Sequence, residues 1–158
     1  LALYAKLGFV VRTPLANVQG APFEFSLPEC AVRRARPEDV ETCDRLCRGV
    51  HGHDRHGELI DAVAAGTAQV VVRAGRITGY TTQVAFFGHA VAESNRDLMA
   101  LIGAAPAFAG PGFLVPLDNT ELFRWCLERG LRVVQTMTLM SIGLYNEPEG
   151  AYLPSVLY

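Results

Sequence analysis

No apolar run in this chain approaches the ~20 residues that a membrane-crossing helix needs, which argues against a helical span. The first residues carry no basic region, apolar stretch and small-residue cleavage site of the kind a secretory leader has. Charge is scarce as well. Only 19% of the 158 residues are charged, and the net charge of −2 gives no general attraction to nucleic acid or an anionic membrane. The basic cluster Arg33, Arg34 and Arg36 runs straight into Glu38 and Asp39, which marks a solvated helix entrance. The four cysteines (Cys30, Cys43, Cys47, Cys126) lack the close paired spacing of a metal knuckle or redox motif. Cys43 and Cys47 stand four apart, on one helix face, as small buried hydrophobes do. The expectation is reduced thiols in a cytoplasmic protein.

What is present is a globular composition, 50% apolar. "LALYAKLGFVV" reads as the second half of an amphipathic helix, stopped at Gly8 and followed by an apolar strand. "TPLANVQGAPFEFSLPEC", with three prolines and little periodicity, reads as a linker. From Ala31 the order returns. "AVRRA" is a strand candidate. "RPEDVETCDRLCRG" is a helix with Pro37 at its first position, acids at the positive end of its dipole and Gly49 at its end. A second helix is expected over Gly57–Ala65. "AQVVVRAGRITGYTT" reads as two strands joined by a tight turn at Ala74, Gly75 and Arg76. Gly88 suggests a bulge or turn. Ser94 and Asp97 form a variant capping box for a helix through Leu98, Leu101 and Ile102. "GFLVPL" is a buried strand, "DNTELFRWCLERG" a helix stopped by Gly130, and "RVVQTMTLMSIGLY" one or two closing strands.

Matching Gly8 to Gly130 sets "LALYAKLGFVV" beside "RWCLERGLRVV", both helix, glycine, apolar strand, a weak internal repeat by itself. "LYAKLGF" resembles the late helix-to-strand signature of the GNAT superfamily of N-acetyltransferases. In that family it reads Asn, a small or apolar residue at plus three, Tyr at plus seven and Gly-Phe at plus eleven and twelve. Asn119, Leu122, Cys126, Gly130 and Leu131 fit the same pattern, with Cys126 where the family often has Tyr. "VRRARPEDVETCDRL" resembles the family's first strand and helix, and "VVVRAGRITGYTT" its second and third strands.

The resemblance implies an α/β (α+β) fold with a mixed, mostly antiparallel sheet flanked by helices. It implies residues 1–12 as the C-terminal tail of a first GNAT domain, 13–30 as a linker and 31–158 as a second GNAT-like domain. It also implies transfer of an acetyl group from acetyl-CoA to an amine-bearing small molecule or peptide. The family holds the cofactor pyrophosphate in a Gln/Arg-x-x-Gly-x-Gly/Ala loop at a helix N-terminus. The corresponding stretch, "FFGHAVAESNRDL", has no such glycines, and Glu93 and Asp97 are expected to repel the phosphates there. Catalysis and acetyl-CoA binding are therefore expected mainly in a first domain, with this domain's own N-terminal GNAT partner and a homodimer as assembly expectations. A non-catalytic, degenerate GNAT fold acting as a ligand-binding or dimerisation module is the alternative.

By position in the pattern, Tyr4 would protonate the leaving thiolate, and Asn119 is the second catalytic candidate, with an N-cap as its structural role. "VHGHDRHG" concentrates three histidines. Its register differs from the metallo-hydrolase pattern His-x-His-x-Asp-His, so no metal is expected at His51, His53 and His56. In the GNAT reading this segment forms part of the acceptor wall, with His51, His53, Asp54 and Arg55 as substrate-binding candidates. An imidazole near its ordinary pKa of ~6.5 could accept the amine proton.

Overall fold

The computed structural model describes residues 1–157. Its elements are α1 (Ala2–Lys6), β1 (Val10–Gln19), β2 (Cys30–Arg34), α2 (Val40–His51), α3 (His56–Ala64), β3 (Gln69–Arg73) and β4 (Arg76–Thr81). Then come β5 (Ala90–Ala92), α4 (Asn95–Gly103), β6 (Phe113–Pro116), α5 (Thr120–Glu128), β7 (Arg132–Ser141) and β8 (Ala151–Leu153). A short 3-10 turn at Pro37–Asp39 leads into α2. The result is the expected α/β class, with antiparallel sheets flanked by helices. One sheet is ordered β2-β3-β4-β5-β8 and the other β6-β1-β7.

The five-stranded sheet carries a core on each face, because successive side chains of a strand point to opposite sides. Val70, Tyr80 and Val91 pack with Cys43, Cys47, Val50 and Leu59 of α2 and α3. Val71, Ala90 and Ala92 pack on the opposite side with Leu98, Leu101 and Ile102 of α4 and Leu122 and Cys126 of α5. Gly79 allows the close approach on that side. A Cβ there would lie 2.9 Å from both Ala92 Cβ and Val71 Cγ1.

Three expectations need correction. The linker does not begin at Thr13, since β1 continues to Gln19 and is the middle strand of its sheet. Pro14 is tolerated there because its carbonyl accepts from Leu117 N–H, while the four-residue β6 ends its ladder at Leu15–Pro116, beside the missing donor. The stretch 20–29 is irregular, but Phe23 and Phe25 are fixed edge-on to Trp125, 5.4 and 5.1 Å between ring centroids. Helix α2 does not stop at Gly49. It runs on to His51, where Gly52 (φ 78°) supplies the left-handed residue that ends a helix.

Asp97, finally, does not face a ligand. It is fully buried and accepts from Arg73 Nε (3.0 Å), Thr78 Oγ1 (2.7 Å) and Ser94 Oγ (2.6 Å). Its pKa is nevertheless lowered, because hydrogen bonds from Arg73, Ser94 and Thr78 outweigh the opposing effect of burial, the largest single influence. Ser94 is the N-cap of α4, as the sequence indicated.

Candidate functional site

The C-terminal ends of β5 and β6 and the N-termini of the helices that follow them open onto a cavity of about 760 Å³. Glu93, Ser94 and Asn95 come from the β5–α4 joint, Asp118 and Asn119 from the β6–α5 joint, and Tyr145, Glu147 and Gly150 from the segment before β8. The β1·β7 ladder slips at Arg12, so that Val11 and Thr13 are paired but the residue between them is not. Such a bulge re-aims a side chain. Arg12 lines the cavity, donates from Nε to Ser141 Oγ (2.7 Å) and lies over the Tyr145 ring at 4.6 Å.

A second cavity of about 190 Å³ shares Tyr145, Pro148 and Tyr152 with the first and reaches His51, His53, Arg55 and His89. Three of the four expected acceptor residues thus meet in one place. Asp54 does not join them, because it is held by Arg48 outside the cavity. His51 lies edge-on to Tyr152, with ring centroids 5.2 Å apart. Burial, then the neighbouring His53, His89 and Arg55, push its pKa down to about 4. The imidazole is therefore neutral at physiological pH and a weak base, unlike the ~6.5 base expected from sequence.

His89 stood alone in the sequence, yet it is the centre of a buried polar chain. The Tyr80 hydroxyl lies 3.0 Å from Nε2, and Nδ1 faces Glu58 Oε2 at 3.3 Å. A carboxylate only accepts, so Nδ1 carries the proton and Tyr80 donates to Nε2. Burial lowers the His89 pKa. Glu58 is held down to about 2, first by its hydrogen bond with His89 and further by Arg55, which grips it with Nε and Nη2. Burial drives the Tyr80 hydroxyl far up, so it stays protonated. At the join of the two cavities Tyr145 and Tyr152 hydrogen-bond each other, and both are raised by burial.

The catalytic candidates are not brought together. Tyr4 lies on exposed α1, edge-on to Phe9 at 5.4 Å, beside a separate cavity with Leu15 and Val156. Asn119 is the N-cap of α5, accepting from Leu122 N–H (3.2 Å) and exchanging amide hydrogen bonds with Asn95. Among the described residues no three His, Cys, Asp or Glu side chains converge as a metal-holding group. Sequence reasoning missed Glu58, Tyr145, Tyr152 and Arg12. Only a fold that brings 145–152 back across the end of α2 makes them neighbours, and no local pattern signals that return.

No family model matches the sequence, and no curated protein matches it. Among solved structures, the chain is similar to a Pyrococcus horikoshii protein assigned as an acetyltransferase, with a TM-score of 0.67 and 17% identity. The match covers 95% of this chain and 54% of the other, so this chain spans about half the length of that protein. At that identity the likeness is one of fold: the same α/β arrangement of antiparallel sheets flanked by helices.

Proposed function

We propose that this chain is the C-terminal, GNAT-like domain of an acetyl-CoA-dependent N-acetyltransferase that transfers an acetyl group to an amine acceptor. Catalysis and cofactor binding lie mainly in a first GNAT domain, and this half contributes part of the acceptor wall in a cytoplasmic enzyme. The observation that carries the reading is the β5–α4 joint. It lacks the glycine turn that lets a pyrophosphate approach a helix N-terminus closely. Ser94 Oγ accepts from Asp97 N–H at the start of α4, while Glu93, Asp118 and Glu147 share the large cavity with one guanidinium, that of Arg12. Glu93 is paired with Arg76 and Arg73, so no cation is left over for a diphosphate on that wall. The same lining suits an ammonium ion.

The smaller cavity adds neutral acceptors and donors at His51, Tyr145 and Tyr152. With His51 pushed down to about 4, its role is to orient a polar acceptor group rather than to take up its proton. The alternative, a degenerate fold that binds a ligand without catalysis, draws on the same acid-lined cavity.

Calorimetric titration with acetyl-CoA tests the division of labour. The 158-residue chain is expected to bind in the millimolar range or not at all, and the polypeptide expressed from its natural start in the micromolar range. A loss of about 3 kcal/mol already weakens a site by ~100-fold. Micromolar binding by the 158-residue chain alone would overturn the reading. Acetyl transfer by the longer polypeptide, measured over a panel of amines, separates the enzyme from the ligand-binding alternative.

A further inference from the structure

The match of Gly8 to Gly130 has a geometric counterpart in the β1·β7 ladder. It maps Thr13 onto Gln135, Leu15 onto Met137 and Asn17 onto Leu139. The observed pair Thr13–Leu139 is thereby carried onto Gln135–Asn17, which is also observed. Pro14–Thr138 is carried onto Thr136–Ala16, Val11–Met140 onto Val133–Val18, and Val10–Ser141 onto Arg132–Gln19, all of them present. Leu15–Met137 maps onto itself. Even the irregularities correspond, since the residue skipped on β1, Arg12, maps onto Val134, skipped on β7. The two strands are thus related by a quasi-two-fold axis through Leu15–Met137.

That axis exposes an imbalance. β1 is covered on its far side by β6, from Leu15–Pro116 to Val18–Phe113. Among the described residues, the equivalent side of β7, along Met137–Met140, has no strand against it. Helix α5 buries Trp125 and Cys126 (8% and 0% exposed), while their counterparts on α1, Leu3 and Tyr4, are 67% and 53% exposed. Val133 and Val134 are exposed as well. Two faces, one of a strand and one of a helix, lack a partner in the places where their symmetry mates have one.

We infer that the free edge of β7 and the apolar face of α1 together dock a second GNAT-like unit of the same polypeptide, lying before Leu1 in sequence. That unit presents to Met137–Met140 a short strand that stands to β7 as β6 stands to β1, and it buries Leu3 and Tyr4 as this unit buries Trp125 and Cys126. β1 and β7 are then two middle strands of one continuous sheet. The inference rests on the tandem part of the proposal above and names its interface. The matched Pyrococcus horikoshii chain, of which this one spans 54%, has room for such a unit.

The bonding pattern makes the test specific. Leu117 N–H donates to Pro14 O, so the even-numbered residues Pro14, Ala16 and Val18 face β6, and Thr13, Leu15 and Asn17 face β7. By pairing, Gln135, Met137 and Leu139 turn their N–H groups to β1, and Thr136, Thr138 and Met140 turn theirs to the free edge. Amide hydrogen exchange should be compared between the 158-residue chain and the polypeptide expressed from its natural start. Met137 and Leu139 are expected to be protected in both. Thr138 and Met140 should exchange at least about 100-fold more slowly in the longer polypeptide. Thr138→Pro, which removes an outward donor and spares the β1 ladder, should return Met140 to fast exchange there.

Fast exchange at Thr138 and Met140 in both forms overturns the inference. So does a dimer of the 158-residue chain with those amides protected, which would make the occupant a second copy. An acetylation assay of the longer polypeptide keeps the two readings apart. Activity with an unprotected edge sinks this interface alone, and a protected edge without activity sinks the enzymatic reading alone.

Discussion

Asp97 shows at the scale of one residue how a charge can be functional in appearance and structural in fact. It lies at a helix start, where an acid repels phosphates, yet it is fully buried against Arg73, Thr78 and Ser94. Asp97→Asn leaves Arg73 only its longer contact with Glu93 and takes the charged acceptor from Thr78 and Ser94, so it should cost about 2 kcal/mol in a urea titration, the scale of hydrogen bonds to a charged group. A cost under about 1 kcal/mol would show the network to be dispensable. The thiols make a parallel case. Burial pushes Cys43 and Cys126 up to about 12, so neither is a thiolate near neutral pH. Labelling by iodoacetamide at pH 8 should be negligible in the native chain and complete in urea. Rapid native labelling of Cys126 would show that this thiol is not sealed in the core.

At the scale of elements, the β3–β4 hairpin turns through Ala74 (φ 51°) and Gly75 (φ 76°), the paired positive angles of a tight hairpin turn. Alanine is poorly suited to the first position, and Asn tolerates it. Ala74→Asn should raise stability by about 0.5–1 kcal/mol, read as a higher denaturation midpoint, whereas Ala74→Val should lower it. Most elements were legible in the sequence because each carries its own signal, such as Ser94 and Asp97 at the start of α4. β1 was not legible. Its Pro14 argues locally against a middle strand, and only the shortness of β6 removes the objection. The site was half legible. His51, His53 and Arg55 announce themselves by density along the chain, but His89, Tyr145 and Tyr152 join them through tertiary contact alone. Asp54, equally prominent in the motif, turns to Arg48 instead.

For the whole molecule, these shifts set a response to acid in two adjoining windows. His51 is depressed from 6.5 to about 4 in the folded state, so the unfolded chain binds the extra proton first. Stability is full above pH 6.5 and falls as the pH drops towards 4, by at most roughly 3 kcal/mol and less where water reaches the ring. The buried His89, also lowered, acts in the same direction. Glu58 is held at about 2 against an ordinary 4.5, and its contribution disappears between those values. Urea titrations at successive pH values should therefore show two declines. His51→Gln should flatten the upper one and leave the lower in place. An unchanged upper decline would assign it to other groups.

The middle position of β1 also has a consequence for the order in which the chain can fold. It precedes β2 to β5 in the chain, yet both its neighbours, β6 and β7, follow them, and Thr13 must find Leu139. Such distant pairings are slow to form. On the ribosome β1 must wait, its apolar residues uncovered, until β7 has emerged, while the β3–β4 hairpin and the α2–α3 pair close early from near neighbours. β1 is thus made before both its neighbours and completed only after both, and the growing chain stays open to wrong partners at that strand until β7 is out.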